Sequence, residues 1–107
     1  MAKTWTLDFY ADPSHGWLKV PKSYLDLNIE HWRKMFSPFS YESKTDVFLE
    51  EDVDAPTFEK WHREHRSHCQ LKFRTHQTNK RSRIRNYDPM YPMDSLTPKL
   101  WSNRQNG

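Results

Sequence analysis

A chain of 107 residues with a formal net charge of +3 has room for one domain and one core, not two. Leu, Ile, Val and Phe supply only 19 residues, a level that suggests disorder, but 5 Trp, 5 Tyr and 6 Phe bury large areas each and argue for a compact aromatic core. Two glycines and three alanines argue against a nucleotide-cradling loop or a close-packed helix bundle, and the single cysteine, Cys69, excludes an intrachain disulfide.

Trp5–Phe9 alternates apolar and polar residues with the period of a half-buried strand. Asp12-Pro13-Ser14-His15-Gly16 has turn chemistry, with the glycine expected to supply a positive φ, and Trp17–Val20 reads as the returning strand of a hairpin. Pro21 ends that strand, and a helix is expected from Pro21 or Ser23 through Leu27. A second short helix is expected to carry Ile29, Trp32 and Met35 or Phe36 on one face, ending at Ser37-Pro38. Phe39–Tyr41 and Val47–Leu49 read as extended, joined by a turn at Ser43–Asp46.

The main helix is expected from Asp54 to Arg66, with Asp54 as its N-cap, Pro56 in the first turn, and Phe58, Trp61, His62 and His65 on one face. Gln70–Arg74 alternates again and returns to the sheet, and Ser82–Tyr87 is expected to be an arginine-rich edge strand. The fold class is therefore α+β. A small mixed sheet packs against one main helix in a single domain over 1–88, and 89–107 forms an extended proline-containing tail.

Charge is segregated along the chain. Glu42–Asp54 holds six acids and one base, whereas His65–Tyr87 holds seven Lys or Arg and no acid. Such asymmetry bears on partners and association rates rather than on fold. No apolar run approaches the roughly 18 residues of a membrane span, and the first residues lack a signal-like apolar stretch. With one unpaired cysteine, the expected compartment is the cytoplasm.

Three motifs stand in order: His15-Gly16-Trp17-Leu18, Leu49-Glu50-Glu51-Asp52 running into Asp54-Ala55, and Ser82-Arg83-Ile84-Arg85-Asn86-Tyr87. Together, over roughly residues 4–87, they resemble a group of small uncharacterised bacteriophage and plasmid proteins. The resemblance brings no catalytic residue with it. It implies a mobile-element protein inside a bacterium that occupies and modulates, and so inhibits, a host protein such as a defence complex.

His62, His65, His68 and Cys69 are zinc-competent types, but all four lie within eight residues, whereas structural zinc sites draw on separated ligand pairs. They read as packing and helix-end residues, so no metal and no cofactor is expected. Glu50, Glu51 and Asp52 read as a solvated acidic rim, with strand alternation sending Glu50 and Asp52 to one face. No nucleophile elbow, phosphate loop or zinc-protease motif is present, and a non-enzymatic role is expected.

The basic stretch Lys72, Arg74, Lys80, Arg81, Arg83 and Arg85 is interleaved with Phe73, Ile84 and Tyr87. On a strand, Arg81, Arg83 and Arg85 would share one face about 7 Å apart, a spacing that suits a phosphate backbone. Charge at that position equally protects an edge strand from pairing. Two functional readings follow. The first is binding to a bacterial host protein through Trp17, Glu50, Glu51, Asp52, Arg83, Arg85 and Tyr87, with Trp17 and Tyr87, like Tyr91 and Trp101, taken as exposed. The alternative is nucleic-acid binding by the basic stretch.

Overall fold

The structure is a computed structural model and describes residues 3–90. It is α+β, as the patterning predicts. The strands are β1 (Lys3–Ala11), β2 (Gly16–Pro21), β3 (Tyr41–Glu42), β4 (Asp46–Glu50), β5 (Cys69–Gln77) and β6 (Asp88–Pro89). The helices are α1 (Lys22–Asn28) and α2 (Asp54–His65), and single 3-10 turns span Trp32–Met35 and Arg83–Asn86. The sheet order is β5-β1-β2-β4-β3-β6; β1 and β5 run parallel and every other pair is antiparallel. Among the described residues no helix is long and apolar enough to cross a membrane.

Strand alternation divides the sheet into two different faces. Leu7, Leu18, Val20, Val47 and Leu49 point to one, where they bury Leu25 of α1, Ala55 and Phe58 of α2, Trp32 of the intervening 3-10 turn and Phe36 just after it. Both helices lie on this side. The other face has no helix. It carries Trp17 and Phe48, and the only apolar cover it receives among the described residues is Ile84, with Tyr10, Tyr41 and Tyr87 packed around.

Several expectations are corrected. Ser82–Tyr87 is not an edge strand but a 3-10 turn, with the Ser82 hydroxyl accepting from the Ile84 N–H. The glycine of the first hairpin does not supply a positive φ, since among the described residues only His31 has one. Gly16 instead leaves room for the Phe9 ring: a Cβ there would sit 2.4 Å from it, so a larger residue would displace that ring. The turn at Ser43–Asp46 closes without glycine because the Ser43 hydroxyl accepts from the Asp46 N–H.

Asp54 does not cap α2. Its buried carboxylate instead reaches across to 37–40 and accepts from the Ser37 N–H, the Ser37 hydroxyl and, at 2.5 Å, the Ser40 hydroxyl. Ser40 Oγ in turn accepts from the Glu50 N–H, so one carboxylate joins α2, the 37–40 loop and β4. Phe58 is fully buried, whereas Trp61 is only partly so. The predicted tail begins inside the sheet: β6 pairs with β3, and Met90 is buried. Residues 91–107, including Tyr91 and Trp101, lie outside the described residues.

Candidate functional site

Segment 82–89 crosses the helix-free face and divides it. Its 3-10 geometry sets the division: at three residues per turn, residues two apart point about 240° from one another rather than sharing a face. Arg83 and Arg85 therefore separate, where a strand would have aligned them. Arg85 turns inward. Its Nε donates to Asp12 Oδ2 at 2.7 Å and its Nη2 to Asp12 Oδ1 and the Ser14 hydroxyl, while its guanidinium lies 5.1 Å from the Trp17 ring centroid. Asp12 also accepts from the N–H groups of Ser14, His15 and Ser82. The Arg85 guanidinium, helped by these amides and opposed by burial, holds the Asp12 carboxyl far below the usual carboxylate range.

Arg83 faces the other way, into an open groove of about 600 Å³. The groove's cations are Lys19, Lys80, Arg81 and Arg83; its aromatic lining is Tyr10, Phe48 and Tyr87. Thr78, Ser82, Ile84 and Asn86 also line it, and none of the described lining residues is a carboxylate. Among the described residues Lys19, Lys80 and Arg83 have no carboxylate within ion-pair distance, and Arg81 reaches only the Asn86 side-chain oxygen.

Register extends the basic surface along β5. Thr6, Asp8 and Tyr10 pair with Lys72, Arg74 and His76 on the same helix-free face. Arg74 and His76 both contact Asp8 Oδ1, at 2.7 and 2.9 Å, and hold its carboxyl down from 3.8 to about 2. His76 stacks on Tyr10 with ring centroids 4.8 Å apart, so a flat aromatic pair borders the groove. Phe73 points to the opposite face. Of the six basic residues singled out from sequence, Lys72, Arg74, Lys80, Arg81 and Arg83 are exposed on one side, and Arg85 is withdrawn from it.

The acidic set is dispersed. Glu42 is held by Lys22 and Arg33; burial raises its carboxyl, and the two cations outweigh that and lower it. Glu50 is not part of a solvated rim. It is 8% exposed, and its carboxylate accepts from the N–H groups of Asp52 and Val53, folding the chain into the turn before α2. The strand ends at Glu50, so the expected alternation of Glu50 and Asp52 does not hold. Of the six acids in 42–54, only Glu51 and Asp52 are exposed.

Trp17, expected to be exposed, is buried at 2% because alternation on β2 places it under Arg85 and beside Tyr41. Tyr87 is half-buried against Phe48. The His/Cys set does not converge. His62 is buried and its Nε2 meets the Cys69 carbonyl oxygen at 2.6 Å, which requires the proton on that nitrogen. His65 stacks on Trp61, and His68 is exposed. Among the described residues no three His, Cys, Asp or Glu side chains gather as a metal site.

Sequence reasoning missed Lys19, Tyr10 and Phe48, which enter the groove from β1, β2 and β4. Alternation around Trp17 was the signal for Lys19, but only the strand order shows that its face meets segment 78–87. No protein-family model, curated protein or solved structure matches the chain.

Proposed function

We propose that this protein binds single-stranded nucleic acid stoichiometrically along its helix-free sheet face, in a bacterial cytoplasm as the phage and plasmid resemblance implies. The observation that carries the reading is the groove itself: four cations and three aromatic rings around one concavity, with no carboxylate among the described residues that line it. Unpaired Lys and Arg replace the counterions condensed on the phosphates, and their release favours binding. Aromatic faces offer stacking surfaces to unpaired bases, worth about 1–3 kcal/mol per base. Lys72, exposed on β5, extends the positive surface beyond the groove, whereas Arg74 is paired with Asp8.

The host-protein reading has less support at its expected anchors. Trp17 and Glu50 are buried, and Arg85 is fully engaged by Asp12 and Ser14. A specific interface gains most from anchors that are free to be desolvated by the partner.

Fluorescence anisotropy with labelled DNA and RNA strands of about 12 nucleotides, within the usual site size of one small module, tests the proposal. Single strands are expected to bind more tightly than the matching duplex, because stacking needs unpaired bases. Equal affinity for single strand and duplex, or no salt dependence between about 50 and 200 mM, refutes it.

A further inference from the structure

On the other side of segment 82–89 lies a second depression, of about 460 Å³, and its chemistry is the reverse of the groove's. Its apolar walls are Trp17, Pro38, Phe39, Tyr41, Val53 and Pro89. Phe39 and Val53 are 68% and 48% exposed, although large apolar side chains gain free energy on leaving water. Asp52 lines the same depression beside Glu50. Asp52 has no cationic partner within ion-pair distance among the described residues. The remaining charges are internally satisfied: Glu50 by the Asp52 and Val53 amides, Arg85 by Asp12 and Ser14.

We propose that this depression is a docking pocket for a protein segment in which one apolar side chain is flanked by Lys or Arg. The apolar side chain enters between Phe39 and Val53 and rests on the Trp17–Tyr41 floor. The flanking cation meets Asp52 at the rim. A cavity of this volume is within the range that encloses a small ligand, and one aromatic or aliphatic side chain with its adjoining backbone fits it. Charge decides the class of occupant. The Glu50 and Asp52 carboxylates, neither paired with a cation among the described residues, lie beside the apolar floor, where they repel a phosphate backbone and attract a basic peptide.

The inference is independent of the nucleic-acid reading. The two concavities share only the segment that separates them, with Arg83 on one side and Arg85 on the other. A protein partner and a nucleic acid could therefore occupy one molecule together.

The probe is a set of labelled octapeptides, each with one Leu, Met, Phe or Trp between Lys or Arg residues. Matched sets carry Ser or Glu flanks, and binding is read by fluorescence polarisation against the full chain. Lys- or Arg-flanked peptides are expected to bind with Kd below about 1 mM and to outcompete the Glu-flanked set. Phe39→Ser and Asp52→Lys should each weaken binding at least about tenfold, as loss of an interface anchor does. Both side chains are exposed, so the fold should survive, and circular dichroism verifies that. Oligonucleotide affinity of Phe39→Ser should stay at the parent value, which separates this site from the groove. Peptide binding indifferent to flanking charge, or unaffected by either substitution, overturns the proposal. So does concentration-dependent dimerisation in sedimentation that Phe39→Ser abolishes, since a second copy would then be the occupant.

Discussion

Asp12 concentrates more of the hairpin's order than any other side chain, receiving Arg85 and three backbone amides at once. Truncating it leaves Arg85 and those amides without their acceptor. Asp12→Ala should therefore cost at least about 2 kcal/mol in a denaturant titration, the range for a hydrogen-bonded, partly buried charge. The sign of the pH dependence follows from the lowered Asp12 and Asp8 carboxyls. A carboxyl whose folded value is depressed contributes stability that is present above its unfolded value, near 3.8, and is lost as pH falls toward the folded one. Stability should decline from about pH 4 downward, with Asp8 protonating near pH 2 and Asp12 lower still. Asp8→Asn should make the denaturant midpoint fall less steeply between those values. An unchanged pH slope would show that Asp8 is not coupled to Arg74 and His76 through folding.

At the level of elements, α2 shows how periodicity and burial part company. Phe58 and Trp61 fall on one helical face by spacing, yet only Phe58 is enclosed, by Tyr24 and the sheet, while Trp61 lies at the margin and stacks on His65. Phe58→Ala should cost about 3–5 kcal/mol, the range for aromatic truncation in a core, and Trp61→Ala less than half of that. Equal losses in urea titrations would place Trp61 in the core. The turn at 83–86 matters for a different reason. Arg85 is a structural residue and Arg83 a surface one, though both were legible only as members of one basic run. Replacing Arg85 should lower stability, whereas replacing Arg83 should leave it within about 0.5 kcal/mol, as for surface changes generally.

Across the whole molecule, charge segregation along the chain becomes segregation in space. A groove with cations and rings lies on one side of segment 82–89, and an apolar depression lined by Glu50 and Asp52 lies on the other. If the groove holds a single strand, each phosphate contact adds about 0.7 to the slope of log affinity against log salt. Replacing Lys80, Arg81 and Arg83 together with Ala should flatten that slope by about two units. Arg85→Ala should not change it. A triple variant with the parent's slope would remove the groove from nucleic-acid binding.

The sequence by itself determined the class of fold, because period-two alternation in 5–9 and 70–74 and period-3.6 spacing in 54–66 are local properties that survive into the structure. It also marked the basic run, since clustering of cations in a chain is visible without coordinates. What it could not carry was which of those charges meet a partner within the same molecule. Arg85 finds Asp12 across a separation of 73 residues, and Asp54 finds Ser37 across 17. Lys19 joins Arg83 only because β2 is central in the sheet and segment 82–89 returns over its open face. Tertiary structure decided the sites because a charge is free or spent according to its neighbours in space, and those neighbours are set by strand order and by the 3-10 turn that divides Arg83 from Arg85.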